Sequence, residues 1–131
     1  MFEVKAHLKI RDGELAGFRE QAAEMMRQTR EKDTKTVRYD WFLSDDGAQC
    51  EVHEVYVDAD ALVEHAQHVG EARDKLFRDF ANGHHMTFYE EPSPMLAEAM
   101  KAIPPGAVKV TRFSFFQGLD ADVEVPHEIP A

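Results

Sequence analysis

The chain holds one cysteine, Cys50, which excludes an internal disulfide framework and any CxxC metal or redox pair. It is also short of positive charge. Lys and Arg number 15 against 25 Asp and Glu, a formal net charge of −10. Without a basic surplus there is no general attraction to phosphate, so nucleic acid and anionic membrane are not expected as partners. No apolar run approaches the roughly 20 residues needed to span a bilayer. The start, Met1-Phe2-Glu3-Val4-Lys5, leads straight into alternating sequence with no signal-peptide core, and a cytoplasmic location is expected. What is present is a globular balance, 44% hydrophobic and 31% charged, over 131 residues, enough for one domain around one core.

The patterning alternates between two periods. Val4, Ala6, Leu8 and Ile10 interleave with Lys5, His7, Lys9 and Arg11, the period of a half-buried strand. Asp12-Gly13 ends it, with Asp12 as the expected cap of a helix to about Asp33, whose stripe is Leu15, Phe18, Ala22, Met25 and Thr29. Thr36 to Ser44 and Ala48 to Val57 return to period two around Asp45-Asp46-Gly47, a hairpin signal. An even loop sets Leu43 against Cys50, Trp41 against Val52, Tyr39 against Glu54 and Val37 against Tyr56, pairing more apolar surface than an odd one. Asp58 or Asp60 caps a second helix with the stripe Leu62, Ala66, Val69, Leu76 and Phe80, which Gly70 is expected to bend or divide and Asn82-Gly83 to close. His84 to Glu90 reads as a strand. Ser93-Pro94 starts a short third helix, and Val108 to Phe116 a last extended segment.

The order β-α-β-β-α-β implies a ferredoxin-like α+β sandwich: two helices on one face of a four-stranded antiparallel sheet, with a C-terminal helix and extended segment appended. The expected divisions are residues 1–91 for the core, 92–119 for the appended helix and strand of the same domain, and 120–131 for an acidic tail. Both sides of the hairpin are apolar: Val37, Tyr39, Trp41, Leu43, Val52 and Tyr56 on one, Phe42, Val55 and Val57 on the other. Helices cover only one side, so the other is expected to pack sheet-to-sheet against a second copy, a homodimer through the open face.

The topology, Gly13 after a basic-apolar strand, and the run Cys50-Glu51-Val52-His53-Glu54-Val55-Tyr56-Val57-Asp58 leading into Ala61-Leu62-Val63-Glu64-His65 together resemble the antibiotic biosynthesis monooxygenase (ABM) domain family. The resemblance covers about Phe2 to Glu91. It implies a dimeric α+β barrel. Some members oxidise aromatic phenols or quinols with dioxygen without metal or flavin, others degrade haem, and many have no known reaction. The haem-degrading pattern of a first-strand Asn, a third-strand Trp and a second-helix His meets Ala6 or His7 and then Tyr56 here. Only His65 or His68 matches its third position, which disfavours that branch.

Tyr39, Trp41, Glu54 and Tyr56 fall on one sheet face in the even register. A carboxylate buried among rings gains a raised pKa and can serve as base toward a phenol. The same residues also make an ordinary core or interface cluster, with Glu54 bonded to a tyrosine or to Arg38. His65 and His68, three apart on a helix, share a face and, with His53, could line a pocket mouth. They could equally be solvent-exposed or capping. A zinc site would need His53, His65, His68 and a carboxylate to converge, and there is no HExxH pattern. His84 and His85 are strand neighbours and point to opposite faces.

With the resemblance, these residues imply a cofactor-independent monooxygenase acting on a small aromatic phenol or quinol. Glu54 or His65 is the expected base, and Tyr39, Trp41, Tyr56, His53, His68 and Phe88 line the substrate site. The rival is a non-catalytic homodimer that binds a small hydrophobic molecule or serves a larger assembly; a cyclase or isomerase would use the same base without oxygen.

Overall fold

A computed structural model of the chain describes residues 1–120. Five strands, β1 (Phe2–Ile10), β2 (Thr36–Leu43), β3 (Gln49–Tyr56), β4 (Ala81–Phe88) and β5 (Lys109–Arg112), form one sheet. Three helices join them: α1 (Leu15–Lys32), α2 (Ala59–Asp79) and α3 (Pro94–Lys101). The strand order is β2-β3-β1-β4-β5, antiparallel except for the parallel β4–β5 pair. Each of α1 and α2 carries the chain over one intervening strand, the arrangement of a ferredoxin-like sandwich. Among the described residues no helix is long and apolar enough to cross a membrane.

Alternation in β1 decides which sheet face meets the helices. Phe2, Val4, Ala6, Leu8 and Ile10 are buried beneath α1 and α2, opposite Tyr56, Glu54, Val52 and Cys50 of β3. Phe18 and Met25 of α1 and Val69, Ala72 and Leu76 of α2 complete this core. Gly17 is where α1 meets Phe80: a methyl group there would collide with the Phe80 ring.

The even hairpin register is observed, with Leu43, Trp41 and Tyr39 opposite Cys50, Val52 and Glu54 around Gly47 at φ +70. Beyond Tyr39 it slips, because a bulge places Thr36, not Val37, opposite Tyr56 and leaves Val37 exposed. Asp58, rather than Asp60, caps α2, its side chain accepting from the Ala61 N–H. Ser93 caps α3 in the same way and donates to Asp60 Oδ1 at 2.6 Å, tying α3 to the start of α2.

Several expectations require correction. Asp12 does not cap α1; Glu14 holds that position without a side-chain cap bond. Gly70 does not divide α2, which runs unbroken, since one glycine weakens a packed helix without ending it. Asn82-Gly83 lies inside β4, where Gly83 at φ +64 supplies the extra residue of a bulge between the His7–His85 and Lys9–Asn82 pairs. The last strand is only Lys109–Arg112, but it pairs with β4, so the sheet has five strands rather than four. The acidic-tail reading of 120–131 lies, beyond Asp120, outside the described residues.

The larger correction concerns the open sheet face. The Tyr39, Trp41, Val52 and Tyr56 side is the one covered by the helices. The uncovered side carries Lys5, His7, Asp40, Glu51, His53 and His85, with Phe42 and Val55 among them. It is a mixed polar face rather than the apolar one expected from the hairpin.

Candidate functional site

The site grows from β3. Glu54 stands between Val4 of β1 and Tyr39 of β2, facing the helices, and is buried with 6% exposure. Tyr56, two residues on and so on the same face, donates its hydroxyl hydrogen to Glu54 Oε1. Burial raises the Glu54 carboxyl from 4.5 to about 7, against the lowering effect of that hydrogen bond. Burial also lifts both tyrosine phenols well above their ordinary value, and the nearby Glu54 charge adds to it.

Helix α2 lowers His65 onto this cluster. The ring centre lies 4.7 Å from Tyr39 and 5.6 Å from Tyr56, and the side chain is buried. His65 Nδ1 is 2.7 Å from Asp33 Oδ2. Toward an ionised carboxylate Nδ1 must donate, which leaves the lone pair of the neutral ring on Nε2. Burial pulls the His65 pKa down, and Asp33 only partly restores it.

Asp33 is the organising residue that sequence reasoning missed. It ends α1, with a side chain only 3% exposed. It accepts from His65, from His68 Nδ1 at 2.6 Å and from Thr36 Oγ1 at 2.7 Å. Burial works to raise its pKa, but hydrogen bonds from His68, Thr36 and His65 outweigh this and hold it below the usual carboxylate value. A signal was available: an anion at a helix C-terminus opposes the helix dipole, whereas Arg30 and Lys32 in the same turn satisfy it.

The other expected site residues divide. Trp41 stands edge-on to Tyr39 at 5.7 Å and tilted against Phe18 at 6.0 Å. Its buried Nε1 lies near enough to Tyr39 to oppose the rise of that phenol, yet reaches no acceptor in hydrogen-bond geometry. Phe88 is on the helix-facing side, in the apolar cluster with Tyr56, and packs edge-on against Phe2 at 5.3 Å. His68 joins through Asp33 and is 27% exposed. His53 does not join: it lies on the open face, beside Phe42 at 4.8 Å and Glu51 at 3.6 Å. The four-ligand set of His53, His65, His68 and a carboxylate therefore does not assemble. A different group of metal-ligating side chains, Asp33, Glu64 and His68, does come together within 4.8 Å.

The helix-facing cluster thus combines a carboxylate that changes protonation near neutrality, an Asp-oriented imidazole and three aromatic rings. Those are the parts of a proton-transfer site for an aromatic acid.

The family model described as antibiotic biosynthesis monooxygenase matches residues 1–83. No curated protein matches the chain by sequence. Among solved structures, MupZ from Pseudomonas fluorescens superposes with a TM-score of 0.69 at 19% identity, covering 95% of this chain and 98% of MupZ. Rv0793 from Mycobacterium tuberculosis gives 0.60 at 23% identity over 70% of this chain and 95% of its own. A further structure described as an antibiotic biosynthesis monooxygenase gives 0.62 at 17% identity over 71% and 100%. At these identities the likeness is one of fold. With MupZ it takes in the appended α3–β5 segment as well as the core.

Proposed function

Because the chain belongs to the antibiotic biosynthesis monooxygenase family, we propose that it oxidises a small aromatic phenol or quinol with dioxygen, the substrate itself supplying the electrons. The observation that carries this reading is the Asp33–His65 pair, 2.7 Å apart, with the imidazole set between Tyr39 and Tyr56. His65 Nε2 takes the phenolic proton, and Asp33 holds the ring in the tautomer that can accept it. The resulting phenolate is electron-rich enough to react with oxygen. In the overall conversion of a phenol to a quinone the ring gains one oxygen atom, and two hydrogens leave with the other as water. Glu54, protonated below neutrality, donates to the oxygen of the forming carbonyl. Tyr39 and Trp41 provide the stacking walls.

The test is oxygen uptake with a panel of quinols, with a chelator present. We expect turnover that falls by about a hundredfold or more in His65→Gln, the usual contribution of a positioned base. No turnover above buffer with any quinol overturns the reading.

One observation favours a second reading, a non-catalytic ligand-binding module. Tyr39, Glu54, Tyr56 and His65 are all buried against one another, so a ligand enters only if side chains move. Saturable quinol binding without oxygen uptake would select it. In either case we propose a cytoplasmic homodimer, the second copy seated on the open face around Phe42, Val55 and Val57. Sedimentation equilibrium showing only single chains at micromolar concentration would refute that arrangement.

A further inference from the structure

We propose that Asp33, Glu64 and His68 form a binding site for a divalent transition-metal ion, zinc fitting best, where the C-terminus of α1 meets the first turns of α2. The ligand atoms lie within 4.8 Å of one another. Glu64 and His68 are i and i+4 on α2 and so stand one above the other on the same face. Asp33 closes the third side from α1.

The polar groups gathered here are ligand types rather than lysine or arginine partners. Asp33 is almost fully buried, yet the groups that pair with it are the imidazoles of His65 and His68. Glu64 Oε1 accepts from the Thr34 N–H and hydroxyl at 3.1 and 3.0 Å, neutral donors both. Two carboxylates and one imidazole therefore converge at this point, a donor set that a divalent cation satisfies. One nitrogen and two carboxylate oxygens suit zinc, with water completing the shell; magnesium and calcium prefer oxygen alone and more of it.

Binding requires three adjustments, the first being that the widest-set ligand atoms, now within 4.8 Å of one another, close toward the spacing of a zinc shell. His68 Nδ1 and Asp33 Oδ1 are now 2.6 Å apart in a hydrogen bond. Tetrahedral ligands at zinc distances stand about 3.3 Å from one another, so the pair must open by less than an ångström. His68 must also present a lone pair at Nδ1. It does so by giving up the Nδ1 proton, either to Nε2 by a change of tautomer or to solvent. Asp33 Oδ2 keeps the His65 hydrogen bond throughout, so His65 becomes linked to the ion through one shared carboxylate.

This inference does not depend on the proposed oxidation, and its test needs no substrate. The chelator-stripped full chain is titrated with zinc by calorimetry, and in parallel with magnesium. We expect one zinc per chain, little magnesium binding, and affinity reduced by about tenfold or more in Glu64→Gln and in His68→Gln. These side chains are only partly buried, so both variants should keep the wild-type circular dichroism; a variant that loses it is replaced by Glu64→Ala or His68→Asn. The triple variant His7→Gln, His53→Gln, His85→Gln, which removes histidines of the open face, should bind as wild type does. No zinc binding at micromolar protein, or binding that survives both α2 substitutions and disappears with the open-face histidines, overturns the assignment.

Discussion

Substituting Glu54 by Gln and following stability against pH tests the electrostatic core of the site directly. Burial raises the Glu54 carboxyl from 4.5 to about 7 in the folded chain. Between those values the folded state holds a proton that the unfolded state has released. Stability from this group is therefore full below about pH 4.5, falls as pH rises, and is lost above about pH 7. At about 1.4 kcal/mol for each pH unit of separation, the loss is about 3 kcal/mol. In Glu54→Gln the side-chain amide stays neutral throughout and can still accept from Tyr56. Other groups titrate in the same range, but they are common to both chains and cancel in the difference. The variant should thus gain about 3 kcal/mol on wild type between pH 4.5 and 8. With an unfolding entropy of about 2.1 cal/mol/K per residue over 131 residues, that is a relative rise in Tm of about 10 °C. Thermal unfolding by circular dichroism at a series of pH values measures it. A Tm difference that stays constant across the range would refute the claim that Glu54 is a buried, neutral-leaning acid.

Asp33→Asn removes the anion that orients His65 and His68; oxygen uptake with any accepted quinol should fall by about a hundredfold, while binding of the quinol changes little. His84, half-buried and stacked on Phe77 at 4.5 Å, has its pKa lowered from 6.5 to about 4, chiefly by loss of solvent around the ring and also by Arg73. Its share of stability is present above pH 6.5 and is lost as pH falls toward 4, so His84→Phe should flatten that acid limb in the same thermal assay. Leu76→Ala, at a position 1% exposed in the core of α2, should lower unfolding free energy by about 2–5 kcal/mol in urea without changing the oligomeric state.

The strand-helix order was legible because it depends on local periodicity, and the hairpin register because Tyr39, Val52 and Cys50 lose their burial if it slips by one. The bulges were not legible. Val37 alternates as well as its neighbours do, and only the pairing of β2 with β3, Thr36 opposite Tyr56, puts it out of register. The same limit hid Asp33. Its partners His65 and His68 are 32 and 35 residues away, and no spacing rule joins a helix C-terminus to the second and third turns of a later helix. His53 shows the reverse error: it is close in sequence to Glu54, and for that reason lies on the opposite face.

Sequence alone determined the order of elements, the register of the hairpin and the family, because alternation, capping residues and turn glycines act over a few residues. Tertiary structure decided the rest. It chose which sheet face the helices cover, so that the aromatic side became core and the polar side stayed open. It also placed a carboxylate from the end of α1 against two imidazoles of α2, because the crossing of those helices, and not any local pattern, brings them within hydrogen-bond reach.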